Sequence, residues 1–317
     1  MIGAHSADQV RAAERPALDA GMGAELMHRA SHGLSLAIVR ELRTRRGRVY
    51  GAWVTGLIGK GNNGGDGLWA LAFLARRGVA VTAVLVEASA HAEGLAALLA
   101  AGGRAVRLAP GDPAQQDGSA NDNPAHDDAA RLPLRTLAEA RDECVRADVV
   151  IDAILGTGAR GGLRGAAAGL VELLLREGSE GRDLPYVVAC DVPSGVDPTT
   201  GEVTGPVLRA GITITFAAAK SGLFLPPGAG CAGRVEVVPI GVEDRLPEPV
   251  VLRLEPEDVS RLLPRPAVEG HKYTRGVLGV RTGSDAYPGA AVLGVEAAWR
   301  TGLGMVRYVG PERAARL

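Results

Sequence analysis

The chain has 317 residues, a formal net charge of -1 and 46% hydrophobic residues, enough for one large or two ordinary globular domains. Near-neutral charge gives no reason to expect a nucleic acid or an anionic membrane as partner, and no apolar run reaches membrane-spanning length. Cys144, Cys190 and Cys231 are odd in number and lack Cys-x-x-Cys spacing, which argues against a disulfide framework or a cysteine zinc site and points to a cytoplasmic protein.

The first fifteen residues are polar, with a helical pattern and no signal-peptide core. Two helices are expected over 6–43, the first capped by Ser6, with Gly21 and Gly23 breaking the pattern between them. Short valine-rich runs then alternate with helical patterns. The runs are Val49–Ile58, Val79–Val86, Ala105–Leu108, Val149–Ile154 and Tyr186–Ala189; the helical patterns are Leu68–Arg77, Glu93–Ala101, Leu134–Arg146 and Ala166–Glu177. Two further strands are expected at Ile212–Phe216 and Arg234–Pro239. Near-continuous apolar strands separated by helices imply an α/β fold with a mostly parallel sheet covered on both faces.

Residues 110–130, rich in Asp, Asn, Gln, Pro and Gly, read as a solvated insertion, with His126 on its surface. Prolines punctuate the chain from Pro239 to Pro266. A second strand–loop–helix–strand unit follows at Val277–Val280, Gly289–Arg300 and Met305–Val309. One such unit buries too little apolar surface to stand alone, so it is expected either to belong to a longer protein or to dock on the first domain or on another subunit.

The segment Gly59-Lys60-Gly61-Asn62-Asn63-Gly64-Gly65-Asp66-Gly67 joins the first long strand to a helix. A glycine-rich turn there brings backbone N–H groups close to an anion at the positive end of the helix dipole. The chain has four asparagines, so two side by side in this turn point to a polar ligand. Gly59, Gly61 and Gly64 also satisfy the dinucleotide fingerprint, with Glu87 as a candidate ribose partner. Asp66 fits a ribose hydroxyl, an amide or a metal ion better than a pyrophosphate.

In an open α/β sheet, ligands bind beyond the carboxyl ends of the strands. Those ends carry Asn62, Asn63 and Asp66; then Asp152 with the loop Gly156-Thr157-Gly158-Ala159-Arg160-Gly161-Gly162; then Asp191 with Ser194, Gly195 and Asp197. Three glycine-rich loops around two or three carboxylates suit a nucleotide-like ligand. The oxygen donors of Asn63, Asp152 and Ser194 also suit a hard cation. Each aspartate has a plainer alternative, as a turn former or cap. Lys220 is one of only three lysines among 35 basic residues, and its place after a strand directs it to the same crevice.

These motifs, with Thr215-Phe-Ala-Ala-Ala-Lys-Ser-Gly222 and the helix around Leu26-Met27, resemble the NAD(P)H-hydrate epimerase domain over roughly residues 5–242. The stretch from about 254, notably His271-Lys272-Tyr273 and Gly283-Ser284-Asp285, resembles the start of the ADP/ATP-dependent NAD(P)H-hydrate dehydratase domain. Together they resemble the N-terminal part of the bifunctional nicotinamide-nucleotide repair enzyme. The resemblance implies a Rossmann-like three-layer sandwich over 1–242, a linker at 243–253 and an incomplete ribokinase-like segment over 254–317. It implies epimerisation of the 6R and 6S hydrates of NADH and NADPH as a repair reaction in the cytoplasm, by a homo-oligomer. Substrate contacts are then expected from Asn62, Asn63, Gly64, Gly65, Asp66, Gly156, Thr157, Gly158, Ala159, Arg160, Gly161, Gly162, Asp191 and Lys220. Asn63, Asp152 and Ser194 would hold one potassium ion per subunit, and Asp191 is the candidate for acid–base chemistry. Dehydration, which uses ADP or ATP, is not expected from these 317 residues, because the resembled domain is several times longer than residues 254–317. A nicotinamide-dependent oxidoreductase and a non-catalytic nucleotide-binding module are the alternative readings.

Overall fold

The computed structural model describes residues 1–109, 128–158, 161–181, 184–263, 265 and 267–317. Residues 110–127 of the expected insertion, with His126, lie outside the described residues. So do Ala159 and Arg160.

The elements, in chain order, are β1 (Ile2–His5), α1 (Ala7–Asp19), α2 (Gly23–Arg46), β2 (Trp53–Ile58), α3 (Asn62–Ala75), β3 (Ala80–Leu85), α4 (Ala92–Ala100), β4 (Arg104–Leu108), β5 (Leu134–Arg135), α5 (Leu137–Val145), β6 (Val149–Ala153), α6 (Gly165–Ser179) and β7 (Tyr186–Cys190). Then come β8 (Ile212–Phe216), β9 (Ala219–Lys220), α7 (Ala229–Ala232), β10 (Arg234–Val238) and β11 (Val251–Arg253). A second compact unit, Glu255–Leu317, follows the first, Met1–Leu254. It holds α8 (Pro256–Leu262), α9 (Gly289–Arg300), α10 (Glu312–Ala315) and the parallel pair β12 (Val277–Val280) and β13 (Met305–Tyr308).

Eight strands form one sheet in the order β10-β8-β7-β6-β2-β3-β4-β5, with every pairing parallel. The two-residue period of the strands divides their side chains between two cores. Val149, Ile151 and Ala153 of β6 join residues of α2, α3 and α4 on one face. Val150, with Val187 and Ala189 of β7, packs against α5 and α6 on the other. Both faces are therefore dry, as the valine-rich runs imply.

The strand order reverses between β2 and β6: β3, β4 and β5 extend the sheet on one side, and β7, β8 and β10 on the other. Such a switch point opens a crevice at the carboxyl ends of the two central strands. The loop into α3 and the loop after β6 both leave the sheet there.

A small second sheet, β11-β1-β9, lies in the same unit. Residues 251–253, read in the sequence as part of the linker, form β11 and pair antiparallel with β1. On its other side β1 runs parallel to β9, with His5 opposite Lys220.

Candidate functional site

The first loop is packed too tightly for side chains at two of its glycines. A Cβ on Gly59 would lie 2.1 Å from the carbonyl oxygen of Ile154, and one on Gly64 would lie 1.9 Å from that of Gly59. This close approach lets α3 begin at Asn62, with Gly61 as its N-cap, six residues before the apolar pattern at Leu68. Asn62 and Asn63 therefore stand in the first turn of the helix, where N–H groups have no intrahelical acceptor.

Hydrogen bonds join the three loops. Asn63 Nδ2 donates to Leu155 O at 3.0 Å, so the first loop is tied to the second. Ser194 Oγ donates to Asp152 Oδ1 at 2.5 Å, and its N–H donates to Oδ2 at 2.8 Å. The N–H of Thr157 donates to Asp191 Oδ2 at 3.0 Å, and its hydroxyl donates to the same oxygen. A Cβ on Gly156 would press on the Asn63 side chain at 2.9 Å, which explains a glycine at that position. A cavity of about 160 Å³ runs beside this junction, lined by Gly156, Gly161, Gly195, Asp197, Glu202 and Thr204, among others.

Asp191 is the chemical centre of the cluster. It follows β7 with φ 68°, a left-handed conformation that is uncommon away from glycine and is held here by the surrounding bonds. Its side of the crevice also receives Lys220, only 1% exposed, whose Nζ donates to Asp191 Oδ1 at 2.5 Å, Thr215 Oγ1 at 3.0 Å and Phe216 O at 2.9 Å. Thr215 Oγ1 adds a bond to Asp191 Oδ1 at 3.1 Å. Burial pushes the Asp191 carboxyl up, but Lys220 and Thr157 outweigh it and hold the carboxyl below its ordinary value.

Asp66 behaves in the opposite way. It is buried, with Ser31 Oγ 3.3 Å from Oδ1. Burial, then the charge of Asp191, pushes it well above the ordinary carboxylate value. Ser31 also donates to Met27 O at 2.6 Å, and its contact with Asp66 offsets only part of that upward push. Asp152 is also raised, by burial, against bonds from Ser194 and the Ile154 N–H.

Asn63 Oδ1 is buried with no hydrogen-bond partner among the described residues, while its Nδ2 is fixed by Leu155. A buried amide oxygen without a hydrogen bond suits a hard cation, and Leu155, which accepts from Asn63, donates its own N–H to Ser194 Oγ at 2.9 Å. Among the described residues no group of three or more His, Cys, Asp and Glu could hold a metal ion.

Sequence reading missed the contribution of α1. Arg11 Nη1 donates to Thr157 O at 2.9 Å, and the Ala7 N–H donates to Thr199 Oγ1 at 3.0 Å. Glu14, one turn further on, lies within the charge field of Lys220, Asp191 and Arg11, and burial raises its carboxyl. His91, the N-cap of α4, packs over Gly65. No local signal marks these residues, because only tertiary packing brings α1 and α4 to the loops. Glu87, the acidic partner an oxidoreductase would need, is engaged by Lys60 at 3.2 Å.

Residues 23–222 match the family described as YjeF-related protein N-terminus. The chain is 40% identical over 311 residues to the bifunctional NAD(P)H-hydrate repair enzyme Nnr of Mycobacterium tuberculosis, covering 98% of this chain and 56% of that protein. It is 36% identical over 273 residues to the NAD(P)H-hydrate epimerase of Microbacterium testaceum, covering 84% of this chain and 89% of that one. The epimerase of Clavibacter michiganensis is 38% identical over 252 residues, with 75% and 90% covered. The chain thus spans about half the length of the bifunctional relatives (56%) and matches most of the length of the epimerases (89%). A crystal structure of the yeast protein ynu0 shares the fold, with a TM-score of 0.50 at 18% identity over 70% of this chain and 83% of that one. The switch-point crevice, its three loops and the extent of these matches lead to one conclusion: the chain belongs to the YjeF-related N-terminal family.

Proposed function

We propose that the chain interconverts the 6R and 6S hydrates of NADH and NADPH, the reaction class named for the epimerases it matches along most of their length. The observation that carries the proposal is Asp191. It is a buried carboxylate in a left-handed turn, kept ionised by Lys220, at the crevice where three glycine-rich loops meet. Loss of the C6 hydroxyl as water leaves a positive nicotinamide-derived ring, and a fixed anion in a water-poor site stabilises that cation as it forms. The first turn of α3 and the Gly156–Gly162 loop would take the dinucleotide phosphates and sugars. In this reading Asn62, Gly64 and Gly65 act through their backbone, and Asp66 as a neutral acid.

Asn63, Asp152 and Ser194 would hold a potassium ion, which supplies a fixed positive charge where the first and second loops meet. Asn63 presents its free oxygen, Asp152 the charge and Ser194 a hydroxyl that tethers the third loop. We place the protein in the cytoplasm as a homo-oligomer; its cysteines are free and no described helix is long and apolar enough to cross a membrane.

Incubation with purified (6R)-NADPHX, following the 6S epimer by chromatography with and without potassium, tests the proposal. Equilibration far faster than in buffer, accelerated by potassium, is the expected result. Equilibration at the buffer rate in the presence of folded protein would refute it.

A further inference from the structure

Hydrogen-bond accounting leaves neither member of the Asp191–Lys220 pair free to move a proton. A carboxylate offers about four lone-pair sites, and Asp191 accepts from Lys220 Nζ, Thr215 Oγ1, and the N–H and hydroxyl of Thr157. Lys220 has three N–H donors, spent on Asp191, Thr215 and Phe216. Asp66 is buried against Ser31 of α2, whose Oγ lies 3.3 Å from Oδ1. The pair is built to hold charge, so the proton transfer that epimerisation requires needs another group.

We infer that Glu14 of α1 is that group, the acid and base that carries the proton to and from the C6 oxygen; this rests on the epimerase reading above. α1 is pinned over the crevice at three points. His5, just before it, lies opposite Lys220 in the β1–β9 pairing, Ala7 bonds to Thr199, and Arg11 bonds to Thr157 O. Along α1 the spacing Val10, Glu14, Ala17 follows one face, with Val10 and Ala17 buried. Glu14 is the carboxylate on that face, half-buried and without a hydrogen bond among the described residues. The charged groups around it are Lys220, Asp191 and Arg11, with Asp66 beyond. Burial and Asp191 raise its carboxyl while Lys220 and Arg11 lower it, and the balance is upward. One carboxyl raised and its neighbour lowered is the arrangement that separates an acid from a charge stabiliser.

The step balances. Glu14 gives its proton to the C6 hydroxyl, the C–O bond breaks with its electron pair on oxygen, and water departs. The ring is left positive opposite Asp191. Water then adds to the other face of C6 and loses a proton to Glu14 through an intervening water, restoring the neutral ring and the acid.

The test compares wild type with Glu14→Gln and Glu14→Asp in epimerisation across pH, alongside a 13C NMR titration of Glu14 in the ligand-free wild-type protein. Glu14→Gln is expected to lower kcat by about 100-fold or more with KM changed little, as for loss of a general acid. Glu14→Asp should restore part of the rate. Wild-type kcat/KM should fall as pH rises through the Glu14 pKa, a limb absent in Glu14→Gln. Glutamine activity close to wild type, or a Glu14 carboxyl titrating at or below the ordinary glutamate value, would overturn the inference. The titration does not depend on turnover, so an inactive wild type would refute the epimerase reading while Glu14 was judged separately.

Discussion

Asp191 and Lys220, 7% and 1% exposed, each give up hydration, and their attraction together with the Thr157, Thr215 and Phe216 bonds offsets that cost. Removing one partner strands the other charge. Lys220→Met should therefore lower unfolding free energy by about 3–5 kcal/mol in denaturant titrations. Lys220→Met combined with Asp191→Asn should recover much of the loss; additive losses would show that the two do not act as a pair. Asp66 gives a prediction of pH dependence. Its folded pKa lies above the unfolded value, so the stability it contributes is complete below the ordinary carboxylate pKa and is lost as pH rises through the folded value. Glu14 has the same sign. Asp191, with a lowered pKa, has the opposite one: its stability is present above the ordinary carboxylate value and is lost as pH falls through the folded value. Asp66→Asn should flatten the decline in melting temperature between mildly acid and alkaline pH and melt higher than wild type at the alkaline end. Parallel curves for the two proteins would show that Asp66 is not held protonated.

At the scale of elements, α1 does more than pack. Its N-terminus carries a reciprocal capping box: Ser6 Oγ accepts from the Gln9 N–H at 3.2 Å, and Gln9 Oε1 accepts from the Ser6 N–H at 2.9 Å. Ser6→Ala should cost about 1 kcal/mol and should lower turnover more than it raises KM, since fraying α1 loosens Arg11 and Glu14 without touching the α3 loop. A variant with unchanged kcat would separate α1 from the chemistry. The sheet strands were legible because strands buried on both faces read as unbroken apolar runs; Ile212–Phe216 agrees to the residue. The start of α3 was not. Asn-Asn-Gly-Gly-Asp-Gly has poor helix propensity, yet tertiary packing against Gly59, Ala153 and His91 rewards residues without bulk. β1, β9 and β11, of two to four residues, are too short to show a period. Asp191, Lys220 and Asp152 could be found because a polar residue at or beyond the carboxyl end of an apolar strand has a known address in a parallel sheet. Glu14 could not: a glutamate on a surface-patterned helix carries no mark of what that face meets.

At the scale of the whole molecule, every site residue discussed belongs to the unit Met1–Leu254, and the crevice arises from the reversal of strand order rather than from any single loop. The first and second loops join at Asn63, whose Oδ1 is buried with no hydrogen-bond partner among the described residues. A cation bound there stabilises the folded chain by mass action, by about 2.7 kcal/mol when its concentration is 100 times its Kd. Potassium chloride should therefore raise the melting temperature of wild type above that in choline chloride at equal ionic strength, a comparison that removes general screening. Asn63→Ala also loses the bond to Leu155 O at 3.0 Å, so its baseline stability falls whether or not a cation binds. The informative quantity is the difference between the two salts within each protein. That difference should vanish in Asn63→Ala and in Ser194→Ala while the fold, followed by circular dichroism, persists. An equal potassium increment in wild type and Asn63→Ala would place the cation elsewhere and leave the buried amide oxygen without a role.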